Sequence, residues 1–251
     1  MHKRRVIARI DIKNNYAIKG IQLEGLRKVG EPNNLAKAYY EDGIDEIVFM
    51  DAVAAYYDRN SLAEIIIKAT QDIFVPITVG GGIRTVDDIK KALDSGADKV
   101  AINTQAIRTP EFITEASRIF GSQCIVGSVE AKKGSHGWEA YIENGREPTG
   151  LDVMAWAKRL EALGAGEIMI TAVDRDGTKK GFDIDLASQV EQAIGIPLIV
   201  SGGAGKAEDI LDLLTETNVE ALAVASILHY KVESVSDIKA MLISANCKVR
   251  K

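Results

Sequence analysis

Two carboxylates, Asp11 and Glu130, close short apolar runs in the two halves of the chain, and each half also carries a Gly-Gly pair followed by small or hydroxyl residues. The pairs are Gly81-Gly82 with Asn103-Thr104, and Gly202-Gly203 with Ala225-Ser226. Glycine lets a backbone approach a ligand closely, and the N–H groups that open a helix receive an anion. One such turn also arises for steric reasons alone. Two related turns point to an elongated ligand with a phosphate at each end. Acidic side chains held on rigid elements around one pocket suit general acid–base work. Asp11, Glu130, Asp51 and the Asp174-Arg-Asp176-Gly-Thr178 run are the candidates, with loop capping as the plainer use of any of them. No Gly-x-Ser-x-Gly elbow occurs, and His2, His136 and His229 stand far apart, so neither a serine hydrolase nor a metal site is expected. No cofactor is expected either.

Groups so distant in sequence meet only if regular elements carry them to one place. Strand-like apolar runs lie at Val6–Ile10, Glu46–Met50, Ile77–Val79, Lys99–Ile102, Cys124–Val129, Glu167–Thr171, Leu198–Val200 and Ala221–Val224. Amphipathic stretches alternate with them at Asn34–Glu41, Asn60–Asp72, Val86–Ser95, Pro110–Phe120, Leu151–Leu163, Ile184–Ala193, Ala207–Thr215 and Val235–Ala245. The strand runs are nearly continuous in hydrophobicity, as in strands covered on both faces. Thr85 and Thr109 sit where N-caps belong, and Pro110 at a first helical position. Eight strand–helix units in 251 residues predict an α/β fold, a closed (β/α)8 TIM barrel. An open doubly wound sheet is the rival, and it seldom repeats so evenly.

An internal repeat sharpens the prediction. Val75-Pro-Ile-Thr-Val-Gly-Gly-Gly-Ile-Arg-Thr-Val-Asp-Asp-Ile aligns with Ile196-Pro-Leu-Ile-Val-Ser-Gly-Gly-Ala-Gly-Lys-Ala-Glu-Asp-Ile at an offset of 121 residues. Glu46-Ile47 falls on Glu167-Ile168 at the same offset, and Asp98–Thr104 falls on Glu220–Ser226 at 122. The reading is one domain spanning 1–251, made of half-barrels at about 1–122 and 123–251. No Pro/Ser/Gly-rich linker separates the halves.

Composition agrees. Lys and Arg number 31 against 36 Asp and Glu, for a net charge of −5; hydrophobic residues make up 46 % and aromatics 6 %. That excludes disordered, collagen-like and low-complexity chains. A mildly acidic chain without a long basic run is a poor binder of nucleic acid or a membrane surface. Cys124 and Cys247 are too few for a disulfide framework. No signal-like stretch opens the chain, and no run approaches the roughly 20 apolar residues of a membrane span, so a cytoplasmic protein is expected.

Arg5, Glu46, Lys99 and Glu167 all begin strands, which places them at the N-terminal face of a barrel. Two cations and two anions there can close the floor as a neutral ring, a feature that by itself reads as stability.

The motifs Asp11…Lys19-Gly20, Thr78-Val-Gly-Gly-Gly-Ile-Arg84, Gly96–Thr104, Gly121-Ser-Gln-Cys124, Thr149-Gly150, Asp174-Arg-Asp-Gly-Thr178 and Ser201-Gly-Gly-Ala-Gly205 resemble the cyclase subunit of imidazole glycerol phosphate synthase, essentially from end to end. The resemblance implies a barrel partnered with a glutaminase docked on its N-terminal face. Ammonia released there would pass the charged ring and the barrel interior to the opposite mouth. It would then convert the bis-phosphorylated phosphoribulosyl-formimino aminoimidazole carboxamide ribonucleotide to imidazole glycerol phosphate and aminoimidazole carboxamide ribonucleotide. The resemblance implies Asp11 as catalytic acid–base, Arg5, Glu46, Lys99 and Glu167 as the ammonia gate, and Asp98 and Gln123 as residues facing the glutaminase. Lys19, on the first mobile βα loop, would close over the substrate. Phosphate and substrate contacts would come from Asp51, Gly81, Gly82, Asn103, Thr104, Asp176, Thr178, Gly202, Gly203, Ala225 and Ser226.

Two departures stand out. The family has Asp at the second catalytic carboxylate, where this chain has Glu130. The extra methylene displaces the carboxylate by about 1 Å, and a misplacement of that order costs on the order of 10²-fold in rate, so Glu130→Asp is expected to raise turnover. The loops Gly20–Pro32 and Asp51–Arg59 also differ from the usual pattern. They resemble a divergent branch associated with surface-polysaccharide biosynthesis, in which barrel and glutaminase would supply ammonia for amidation of a nucleotide sugar. The related histidine-pathway isomerase shares the half-barrel plan but has no need of the four-charge floor.

Overall fold

The computed structural model describes residues 3–52 and 62–250. In chain order its strands are β1 (Arg5–Lys13), β2 (Tyr16–Ile21), β3 (Glu24–Gly30), β4 (Glu46–Asp51), β5 (Ile77–Gly80), β6 (Lys99–Ile102), β7 (Ile125–Gly134), β8 (Gly137–Ile142), β9 (Glu147–Asp152), β10 (Glu167–Ala172), β11 (Leu198–Ser201) and β12 (Ala221–Val224). The described helices are α1 (Pro32–Glu41), α2 (Ala63–Ala69), α3 (Val86–Asp94), α4 (Thr104–Arg108), α5 (Glu111–Phe120), α6 (Val153–Ala162), α7 (Ile184–Ala193), α8 (Ala207–Glu216), α9 (Ser226–His229) and α10 (Val235–Ser244). None is long and apolar enough to cross a membrane.

Strands β1, β4, β5, β6, β7, β10, β11 and β12 pair in parallel in that order, and β12 returns to β1 with Arg5 beside Ala221. The result is a closed (β/α)8 barrel. Strand alternation sends successive side chains to opposite faces. Ile7, Val48, Val126, Met169 and Ile199 fill the interior as one apolar cluster, while Ala8, Ile47, Ile77 and Ile170 pack outward in the core beneath the helices. The continuous hydrophobicity of the strands follows from these two covered faces.

The repeat is visible element by element. Helices α1 and α6 are ten residues each and begin 121 residues apart. Strands β4 and β10 keep the same offset. At the start of α3, Thr85 Oγ1 accepts from Asp88 N–H at 3.2 Å while Asp88 Oδ2 accepts from Thr85 N–H at 2.9 Å. At the start of α8 the equivalent Asp209 accepts from Gly205 N–H at 2.7 Å and Lys206 N–H at 3.1 Å. Pro110 already has helical dihedrals, φ −56° and ψ −33°, at the entry to α5.

The main difference from expectation is a pair of antiparallel hairpins. β1 runs on through β2 to β3, and β7 through β8 to β9, so each half-barrel carries a three-stranded flap beyond its first barrel strand. Lys19 therefore sits on β2, a paired strand, rather than on a loop. The helix expected from Leu151 begins at Val153, because β9 extends to Asp152, whose side chain caps the helix by accepting from Ala155 N–H at 2.9 Å. Most of the divergent stretch Asp51–Arg59, from position 53 onward, lies outside the described residues.

The last helix is tied to the first strand–helix unit. Lys239, buried on α10, donates to the Gly43 carbonyl at 2.6 Å and to Asp45 Oδ1 at 2.7 Å, and Asp45 Oδ2 accepts from Val6 N–H at 2.7 Å.

Candidate functional site

Asp11 and Glu130 both point into the C-terminal mouth of the barrel and line one cavity of about 70 Å³ with Asp51, Gly81, Gly82, Asn103 and Thr104. Both carboxylates are buried, yet their surroundings differ. Asp11 Oδ1 accepts from Arg9 Nε at 2.8 Å, and Lys19 Nζ stands 3.7 Å from Oδ2. Burial pushes the Asp11 carboxyl up, but the Arg9 and Lys19 charges outweigh it and hold it below the usual carboxylate range. Among the described residues, the hydrogen bond to the Glu130 carboxylate comes from Gly145 N–H, which Oε2 accepts at 2.8 Å in the turn of the second hairpin. Its burial dominates and pushes its carboxyl up to about 7, against that hydrogen bond and the Arg9 charge. One carboxylate is thus fixed as an anion and the other is poised near neutrality. Such a split is how a site separates base from acid.

The two glycine turns flank this pair. Gly81, Gly82, Gly202 and Gly203 have φ of 89°, 70°, 98° and 118°, which side chains rarely adopt. A Cβ on Gly81 would lie 2.2 Å from the Asp51 carbonyl, and one on Gly203 would lie 2.1 Å from the Gly181 carbonyl. Asn103 and Ala225 open α4 and α9 with matched dihedrals, φ −115° and ψ −83° against φ −135° and ψ −73°. Asn103 Oδ1 is buried and has no hydrogen-bond partner among the described residues. The second turn, with Ser201, Ala225, Ser226, Lys19 and Asp176, encloses only about 10 Å³. Lys19 Nζ there contacts Asp176 Oδ1 at 2.8 Å and Oδ2 at 2.7 Å. Thr178 instead donates to the Arg175 carbonyl at 2.7 Å within its own turn.

The hairpins form a roof. Asn144 Nδ2 donates to the Leu23 carbonyl at 3.3 Å, joining the turn of the second flap to that of the first. Both turns use left-handed backbone, at Gln22 and Leu23 and at Glu143, Asn144 and Gly145.

At the opposite end, Arg5 Nη1 meets Glu46 Oε1 at 2.7 Å and Nη2 meets Glu167 Oε1 at 2.5 Å. Lys99 Nζ meets Glu46 Oε2 at 3.2 Å and Glu167 Oε2 at 2.8 Å. The four charges alternate in a closed ring. Burial opposes both charges, but the cations hold Glu46 below its usual range and the glutamates keep Arg5 protonated. Below the ring opens a cavity of about 460 Å³ that Gln123 also lines. Asp98 is exposed, and its carboxylate accepts from Ile77 N–H at 2.8 Å.

Sequence reasoning missed three participants. Arg9, 3 % exposed, sits inside the barrel between the apolar cluster and the mouth. The signal was its spacing: residues i and i+2 of a strand share a face, so Arg9 and Asp11 point the same way. The Gly145 N–H and the buried Tyr39–His229 pair, 2.7 Å apart, carried no comparable signal. Burial pushes the His229 imidazole down to about 4, leaving it neutral.

Comparison with known proteins bears on these positions. Residues 5–234 match the family model described as "Histidine biosynthesis protein". The chain is 54 % identical to the imidazole glycerol phosphate synthase subunit HisF of Legionella pneumophila over 206 residues, covering 82 % of this chain and 97 % of that protein. It is 44 % identical to the HisF subunit of Lactococcus lactis over its whole length, 97 % of the relative, and 42 % identical to that of Alkaliphilus metalliredigens, with both chains fully covered.

Proposed function

The chain belongs to the histidine biosynthesis protein family, in its HisF line, and from that premise we propose that it is the cyclase subunit of an imidazole glycerol phosphate synthase. It takes ammonia from a glutaminase subunit and uses it on phosphoribulosyl-formimino aminoimidazole carboxamide ribonucleotide, giving imidazole glycerol phosphate, aminoimidazole carboxamide ribonucleotide and water.

The observation that carries this reading is a pair of buried carboxylates in unlike surroundings, Asp11 against the Arg9 and Lys19 cations and Glu130 against the Gly145 N–H, between two matched glycine turns. A substrate with a phosphate at each end spans the turns, and its reacting centre then lies over Asp11 and Glu130. Asp11, held as an anion, removes a proton as the incoming nitrogen adds and the imidazole ring closes. Glu130, protonated in part near pH 7, returns one to the leaving portion. Backbone N–H groups at Gly82 and Thr104, and at Gly203 and Ser226, receive the two phosphates. Lys19 exchanges its Asp176 partner for phosphate or stays as a clamp behind it.

The charged floor and the apolar interior support the supply route. Ammonia is small and uncharged, so an apolar passage between ring and mouth carries it while excluding ammonium and other ions. The lower face with Asp98 and Gln123 is where the glutaminase docks.

Supplying the purified chain with the bis-phosphorylated substrate and an ammonium salt tests the cyclase reading without any partner. Turnover is expected, and Asp11→Asn should lower it by about 10²–10⁴-fold. Absence of turnover in the unmodified chain overturns the cyclase role and leaves a subunit that only delivers ammonia.

A further inference from the structure

We propose that Arg9 is the positioning residue of the mouth: its guanidinium, anchored to two other barrel strands, fixes the Asp11 carboxylate in place as the base. This deepens the reading above and rests on the proton-transfer role given there to Asp11.

The geometry is specific. Nε donates to Asp11 Oδ1 at 2.8 Å. Nη1 donates to Thr171 Oγ1 on β10 at 2.8 Å and lies 3.5 Å from Ser201 Oγ on β11. Three barrel strands therefore hold one planar group, and its orientation fixes that of the carboxylate it faces. A lysine could supply the charge but not the fork. A guanidinium buried inside a barrel is costly, and here its cost is offset by the pairing with Asp11 and the bond to the Thr171 hydroxyl, so guanidinium and carboxylate are held as one unit.

The other groups facing Asp11 do not duplicate it. Lys19 on β2 stands farther off, and its ammonium is taken up by Asp176, which it meets at 2.7 and 2.8 Å. His229 on α9 is neutral. Glu130 on β7 and Asp176 carry no positive charge. Among the described residues, Arg9 is the cation in hydrogen-bond contact with Asp11.

The test follows the Asp11 carboxyl directly, by 13C NMR titration of the full chain labelled at aspartate, beside pH profiles of ammonium-driven turnover. In Arg9→Gln the Asp11 midpoint should rise by about one unit or more, with the acid limb of turnover moving to higher pH alongside it. In Arg9→Lys the midpoint should stay low while kcat falls about ten- to a hundredfold with KM little changed, because charge is kept and orientation lost. An unmoved midpoint in Arg9→Gln, or full kcat in Arg9→Lys, overturns the proposal. Should Arg9→Gln fail to fold, Thr171→Val removes one anchor and keeps the charge; it should lower kcat without shifting the acid limb, and an unchanged kcat counts against the anchoring. If the unmodified chain shows no turnover, the cyclase reading fails, while the carboxyl titration still decides what Arg9 does to Asp11.

Discussion

At the scale of single residues, Glu130 sets the working range of the site. Its carboxyl titrates near 4.3 in an unfolded chain and at about 7 in the folded one. Between those values the folded chain holds a proton that the unfolded chain has released, so this residue's contribution to stability is greatest below pH 4 and is lost as pH rises through 7. Glu130→Gln keeps an acceptor for Gly145 N–H and removes the charge. It should stabilise the protein by about 1–3 kcal/mol at pH 8 and by little at pH 4, a difference of several degrees in melting temperature. The same variant should lose the basic limb of turnover near pH 7 and fall by about 10²–10⁴-fold in rate. The seat on Gly145 also reverses the expectation drawn from the family pattern. Shortening the side chain by Glu130→Asp withdraws the carboxyl from its N–H partner, so turnover measured with ammonium should drop rather than rise. Asp11 and Glu130 were legible as acids closing apolar strands. Arg9 was not, because one cation within an apolar run reads as an exception until its neighbours in space are known.

At the scale of elements, the two hairpins govern access. The mouth encloses about 70 Å³ and the second glycine turn about 10 Å³, whereas small-molecule sites commonly need about 300 Å³ or more. Under the proposed role, a bis-phosphorylated ligand needs more room than these two cavities give, and a lifting of the roof is the expected source of it. Hydrogen exchange should show backbone protection rising in 16–30 and 137–147 when such a ligand binds, with the barrel strands unchanged; uniform change across the barrel would contradict a hinged roof. The glycine turns are the rigid counterpart. Gly203→Ala puts a methyl group into the Gly181 carbonyl and should cost about 1–3 kcal/mol in stability as well as affinity for the phosphorylated ligand, measured by thermal unfolding and titration calorimetry. The barrel strands and most long helices could be read from periodicity, since burial on both faces leaves unbroken apolar runs. The flaps could not, because β3 and β9 are largely exposed and have no buried face to advertise. One cue existed: Asn14-Asn15, with φ of 49° and 69°, makes the left-handed turn between β1 and β2 that asparagine tolerates.

At the scale of the whole molecule, the barrel is ordered along one axis, with charges below, apolar packing between and the paired glycine turns above. Under the proposed role, Arg5→Ala and Lys99→Ala should alter glutamine-driven turnover of the assembled enzyme more than ammonium-driven turnover of the same sample. Equal effects would make the ring a structural closure only. The ring also breaks the symmetry that the rest of the barrel obeys. Glu46 and Glu167 are repeat-related positions, but the offset that takes Asp11 to Glu130 takes Arg5 to Cys124, and Lys99 falls on Ala221. Its two cations are therefore not interchangeable. Arg5 clasps both glutamates with a rigid fork, while Lys99 reaches them on a flexible stem through contacts of 3.2 and 2.8 Å. If the ring gates ammonia as proposed, it is a doorway with a hinge on one jamb and a latch on the other. Loss of Lys99 should then leave it ajar on the β6 side with both acids still clasped by Arg5, whereas loss of Arg5 should leave two acids sharing one ammonium and repelling each other.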